Sequence, residues 1–152
     1  MKRDSRLSRA LHVILHLAEC EAPMTSTTLA KIVGTNAVVV RRTLAGLRER
    51  GLVASARGHG GGWTLTCDLG ETSLRDVHAA LGAPRCIALS RPGEDSSCLV
   101  EQAVNRALGE AFDEAEALLL ARFEEVSLAS LSADFGERLA EHFEAIERIR
   151  KP

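Results

Sequence analysis

Residues 35–66 read TNAVVVRRTLAGLRERGLVASARGHGGGWTLT, and the order of elements in this stretch decides the fold. Val40, Leu44 and Leu47 recur at i, i+4 and i+7, the core stripe of a helix. Asn36, Ala37, Val38, Arg41, Arg42 and Ala45 fall mainly outside that stripe. Thr35 or Asn36 opens the helix, which runs through Arg50, and Gly51 stands where a left-handed C-terminal cap wants glycine. LVASAR and WTLT then read as two short strands, joined by the glycine-rich run RGHGGGW at 57–63. A phosphate-binding loop needs a strand, then glycines, then a helix carrying Lys-Ser/Thr or a third spaced glycine. Here a strand follows the glycines and no such lysine exists, so the run is a hairpin tip.

On the N-terminal side, RLSRALHVILHLAEC sets Leu7, Leu11, Ile14, Leu15 and Ala18 at helical spacing, predicting a helix over about 6–20. Thr25 or Ser26 caps a second short helix, TTLAKIV, and VGTN turns the chain into the third. Two short helices joined by a glycine turn, the second carrying small and basic residues and leading into a hairpin, predict a winged helix-turn-helix.

On the C-terminal side, SLRDVHAALG reads as a short helix with Ser73 capping and Asp76 at the capping-box position. Residues 83–96, with two prolines, a glycine and mixed charge, make a loop. A long helix over about 97–125 carries Leu99, Ala103, Leu108, Phe112, Ala115, Leu119 and Phe123 as an apolar seam. So small a wing domain cannot cover a helix of that length, so it is expected to pack on its counterpart in a second subunit. A last amphipathic helix is expected over about 133–150, with Phe135, Leu139, Phe143 and Ile146 on one side. The fold class is therefore mainly α with a small β-hairpin wing. The domains are a DNA-binding part at 1–82, a sensor-type loop at 83–96, and a dimerisation helix with a C-terminal extension at 97–152.

The 152 residues, 45% hydrophobic and 26% charged, suit one domain or a small domain with a helical extension. No apolar run approaches the roughly 20 residues of a membrane span and no signal-peptide core follows Met1, so a cytoplasmic location and no membrane partner are expected. Cys20, Cys67, Cys86 and Cys98 form no C-x-x-C pair and read as thiols before they read as a disulfide framework. The net charge of −2 conceals a division. Residues 1–66 carry ten Lys/Arg against four Asp/Glu, and residues 67–152 carry nine against seventeen. A basic first half points to nucleic acid. No nucleophile–base pair, carboxylate dyad or nucleotide loop occurs at useful spacing, so an enzyme is not expected. The remaining rival is a protein-interaction module whose acidic half docks a partner and whose basic half binds no DNA.

For double-stranded DNA, Asn36 at the start of the third helix reaches a phosphate or a base edge. Arg41 and Arg42 can grip guanine or phosphate, and Ala37 and Val38 can touch thymine methyls. Arg57, His59 and the Gly60 amide at the hairpin tip suit the DNA backbone and minor groove. Arg48 and Arg50 read as a solvated helix end, and Trp63 as a packing anchor at the wing base. Three sensing chemistries remain open beside inert cysteines. Cys86 and Cys98 flank the loop, and Cys98 stands near a helix N-terminus that would lower a thiol pKa. His12, His16 and Cys20 recur along one helix edge, and His12 with Cys86 and Cys98 across a dimer would make a metal site. A small-molecule pocket in the helical half is the third.

TNAVVVRRTLAGLRERGLV, RGHGGGW and SLRDVHAALG in this order resemble the Rrf-two type of bacterial winged-helix regulators (IscR/NsrR-like), over about residues 5–131. The resemblance implies a homodimer with two wings and a long crossed dimerisation helix. It also implies a near-palindromic operator, repression as the commonest role, and a sensor in the loop before the long helix. Cluster-binding members of the family carry three cysteines there, about five residues apart. In this sequence Cys98 matches the last of them, Cys86 sits early and the middle one is missing, which points to the branch without an iron–sulfur cluster.

Overall fold

The computed structural model describes residues 6–87 and 98–136. Most of the expected loop at 83–96, and most of the expected helix at 133–150, lies outside them. The described elements form a winged helix-turn-helix followed by one long helix.

α1 (Arg6–Ala18) buries Ala10, Val13, Ile14 and Leu17. It ends two residues before the expected boundary, so Cys20 leaves the helix edge that carries His12 and His16. α2 (Ser26–Ile32) starts at Thr25, whose hydroxyl accepts the Thr28 amide at 3.1 Å. Gly34, at φ +66, turns the chain, and α3 (Ala37–Glu49) begins under Asn36, whose Oδ1 accepts the Val39 amide at 2.9 Å. α3 ends in a Schellman turn. Gly51, at φ +72, donates to the Arg48 carbonyl at 2.9 Å, and Leu52 donates to the Leu47 carbonyl at 3.0 Å. Leu47 and Leu52 are both buried across that turn. Leu29, Val40, Leu44 and Leu47 are fully buried with Val13, Ile14 and Val77, which fixes the two helices of the turn against α1. Each leucine so buried contributes about 1.5–3 kcal/mol.

β1 (Val53–Ala56) and β2 (Gly62–Leu65) pair antiparallel, with Val53 opposite Leu65 and Ala56 opposite Gly62. A third edge joins them, because Met24 and Trp63 exchange backbone hydrogen bonds of 2.8 and 3.0 Å. The glycines of the hairpin thus have two causes. Gly58 and Gly60 take φ +96 and +79 at the tip, whereas at Gly62 a side chain would stand 2.8 Å from the Met24 backbone.

α4 (Leu74–Ala80) has the expected capping box, with Ser73 and Asp76 each accepting from the other's backbone amide. α5 (Leu99–Glu125) buries no residue within the described chain. Its expected single seam divides in two. Asn105, Gly109, Phe112, Glu116, Leu119 and Phe123 are half-buried at helical spacing, on one side of α5. Leu99, Val100, Val104, Leu108 and Leu118 are exposed, Leu99 and Leu118 by 79% and 75%. After α5 the chain returns beside the start of α4, where Leu74 donates to the Val126 carbonyl and Leu128 to the Thr72 carbonyl. Residues 128–136 are helical, five residues earlier than expected. The Ser127 hydroxyl accepts the Ser130 amide at 3.2 Å and serves as the cap, and Leu128 is fully buried.

Candidate nucleic-acid interface

With Val40, Thr43, Leu44 and Leu47 turned to the core, the opposite face of α3 presents Val38, Arg41, Arg42 and Ala45 at i, i+3, i+4 and i+7. Val38 is 64% exposed and both arginines are exposed. From Val38 to Ala45 the helix rises about 10 Å, a length that fits the major groove. Asn36 is exposed, but its carbonyl oxygen is committed to the cap, which leaves its amide hydrogens to donate outward. Ala37, expected to face DNA, is half-buried and packs against the core, whereas Val38 is exposed.

The wing follows α3 and is tied to its C-terminal end through Arg48. Arg57, His59 and Gly60 are all exposed at its tip. Its base is held on three sides. Trp63, only 9% exposed, donates its indole N–H to the Ser26 hydroxyl at 2.9 Å and shares the Met24 bridge. The Arg48 guanidinium lies 5.9 Å from the Trp63 ring centroid and its Nη1 is 3.4 Å from the Ser55 hydroxyl. Trp63 is therefore the anchor expected of it. Arg48 is exposed in the last turn of α3, as expected, and in addition reaches across to the hairpin.

Sequence reasoning passed over Arg6 and Arg9. They share with Arg42 and Gly46 the wall of a cleft of about 360 Å³ between α1, α3 and α4, which extends the basic surface beyond the recognition helix. Their i, i+3 spacing in RLSR was the available signal.

The candidate sensor residues lie apart in character. Cys98 is exposed at the N-cap of α5, where hydrogen bonding from the amides of Glu101 and then Val100 lowers its thiol pKa. Cys86 is half-buried near α4 and α5, with its Sγ 3.4 Å from His78 Nε2. Burial pushes the Cys67 thiol up. His12 pairs with His16, Nε2 to Nε2, at 3.0 Å, and burial followed by the His12 charge lowers the His16 pKa. Among the described residues no three His, Cys, Asp or Glu side chains come together as metal ligands, and no disulfide joins the cysteines. With two thiols in the loop segment, one of them seated on a histidine, these residues do not fit a standard iron–sulfur cluster.

Comparison with known proteins gives the same architecture. The profile of the Rrf2 family, described as iron-dependent transcriptional regulators, matches residues 3–134. YwnA of Bacillus subtilis strain 168, described as an HTH-type transcriptional regulator, is 31% identical over 110 residues, 72% of this chain and 81% of YwnA. The crystal structure of a transcriptional regulator from Lactobacillus plantarum superposes with a TM-score of 0.75 at 23% identity, over 93% of this chain and 97% of that one. IscR of T. potens superposes with a TM-score of 0.63 at 20% identity, over 91% and 90% of the two chains.

Proposed function

Because this chain belongs to the Rrf2 family of transcriptional regulators, we propose that it is a cytoplasmic, homodimeric repressor of a near-palindromic operator, controlled by oxidation at Cys86 or Cys98. One observation carries the DNA reading. The exposed face of α3 holds Val38, Arg41 and Arg42 on a core-locked helix, and Arg57, His59 and Gly60 are exposed at the tip of a wing whose base is anchored to α2 and α3. Arg41 and Arg42 supply the bidentate donors that read guanine, and Arg57 supplies charge for the backbone. The exposed stripe of α5 supports the dimer: soluble chains rarely leave several large apolar side chains in line on one helix. Two copies joined along α5 carry two recognition helices, which is what a near-palindrome requires. A cytoplasmic site is consistent with the described helices, none of which is long and apolar enough to cross a membrane.

The test is fluorescence anisotropy of a labelled fragment from the gene's own promoter at two salt concentrations. Arg42→Ala is expected to weaken specific binding by about 1–3 kcal/mol and to relax base preference. Arg57→Ala is expected to weaken binding to every sequence alike and to flatten the salt dependence. An Arg42→Ala protein with unchanged affinity and preference would overturn the docking of α3, and absence of any operator preference would favour a protein-interaction module.

A further inference from the structure

The junction between α4 and α5 holds a cysteine–histidine pair that DNA contact does not use. α4 ends in a second Schellman turn: Gly82, at φ +86, donates to the Ala79 carbonyl at 3.1 Å, and Ala83 donates to the His78 carbonyl at 3.1 Å. Ala83 itself stands at φ +45, a left-handed backbone that costs a residue with a side chain roughly 1–2 kcal/mol. Two consecutive left-handed residues reverse the chain and bring Pro84 and Cys86 back over His78.

His78 is only 4% exposed. Its Nε2 lies 2.7 Å from the Pro84 carbonyl oxygen and 3.4 Å from Cys86 Sγ. A carbonyl oxygen only accepts, so this nitrogen carries a hydrogen. That hydrogen goes first to Pro84, and Cys86 Sγ shares it as the longer, second acceptor, a place that a thiolate fills far better than a thiol does. Two residues of α5 close the cluster. The Phe123 ring meets His78 edge-on at 6.0 Å between centroids, and Glu116 Oε1 accepts the Cys86 amide at 2.9 Å. The Glu116 charge opposes a thiolate, and its bond to the amide offsets part of that opposition.

We infer that Cys86 is the reactive thiol of this protein, positioned by His78, and that it forms a mixed disulfide with a low-molecular-weight disulfide. The inference deepens the regulatory reading above and rests on it for its consequence at DNA. The Cys86 thiol gives its proton to solvent, and Sγ attacks one sulfur of the small disulfide. That S–S bond breaks as the new one forms, and the second sulfur leaves as a thiolate that takes a proton from water. Cys86 is oxidised and half of the small disulfide is reduced. The adduct sits half-buried against His78 and Glu116, so it presses on the last turn of α4. In that turn the Ala80 carbonyl lies 2.5 Å from where a side chain on Gly46 of α3 would begin. The recognition helix thus rests on the turn that the adduct disturbs.

The full chain is treated with hydroxyethyl disulfide, a neutral probe, and adducts are located and timed by intact-mass and peptide mass spectrometry. One fast adduct is expected, on Cys86, retained in Cys98→Ser and absent from Cys86→Ser. His78→Phe is expected to slow it about tenfold or more. Glu116→Gln, which removes the opposing charge, is expected to speed it, a gain that a damaged fold does not mimic. A fast adduct on Cys98 or Cys67 instead, or unchanged rates in both variants, overturns the inference. Promoter binding is measured on the same samples. Loss in the adduct and recovery with dithiothreitol support the coupling, whereas full binding by the adduct refutes it. Failure of the untreated protein to bind DNA would sink the repressor reading while the mass spectra still decide the reactive site.

Discussion

Gly46→Ala tests whether the recognition helix is seated by a backbone contact. The new methyl carbon would stand 2.5 Å from the Ala80 carbonyl oxygen. Non-bonded carbon and carbonyl oxygen settle at about 3.3 Å or more, so α3 and the end of α4 must part by about 0.8 Å. Both partners are helical backbone, so no side-chain rotation relieves the clash. Overpacking of this kind costs about 1–3 kcal/mol, and alanine returns up to about 1 kcal/mol of helix propensity. With the full propensity returned, the net destabilisation is up to about 2 kcal/mol, or up to roughly 8 °C in Tm for a chain of this size. Gly109→Ala in α5 is the matched control, since nothing lies within 4 Å of its added methyl, and it is expected to gain the propensity alone. Thermal melts by circular dichroism read the stability, and promoter anisotropy at 25 °C, where both proteins are folded, reads the seating of Arg41 and Arg42. A Gly46→Ala protein that melts no lower than wild type and binds the promoter equally would refute the tight α3–α4 contact, and with it the route from Cys86 to DNA.

Two further outcomes follow from the α5 and α4 geometry. Leu118 is 75% exposed in the single chain, so Leu118→Glu costs little within a subunit but places a charge in the proposed interface. Sedimentation is expected to shift from dimer to monomer with helix content retained, and a dimer that survives would move the interface elsewhere. Asp76 is held below the usual carboxylate range, first by the Ser73 amide and then by the Ser73 hydroxyl. A carboxyl with a depressed folded pKa stabilises fully above its unfolded pKa and loses that contribution as pH falls through the folded one. Asp76→Asn is therefore expected to lower stability at pH 7 and to converge on wild type below about pH 4, as measured by urea midpoints across pH. Parallel curves across the whole range would show that the capping carboxylate contributes nothing.

The sequence was most legible where structure is local. Val40, Leu44 and Leu47 announced the core face of α3, and Ser73 with Asp76 announced a cap, because helical spacing and capping act within a few residues. The opposite face of α3 was legible for the same reason, apart from Ala37, whose methyl is small enough to turn inward without breaking any pattern. Long-range pairings were not legible. Nothing in the spacing says that Met24 bridges Trp63 across 39 residues, or that the apolar seam of α5 splits into a stripe against its own chain and a stripe left bare. The Cys86–His78 pair is the sharpest case. Eight positions separate the two residues, about 12 Å along a helix and about twice that along a strand, too far for direct contact in either. They meet because the chain reverses through Gly82 and Ala83, and only the first of these is a residue whose type advertises a positive φ. A strained alanine is the kind of feature that local rules read as ordinary. Its roughly 1–2 kcal/mol cost is one the fold sustains at the turn that sets a thiol against a buried imidazole, and strain of that size tends to gather where a site has a task.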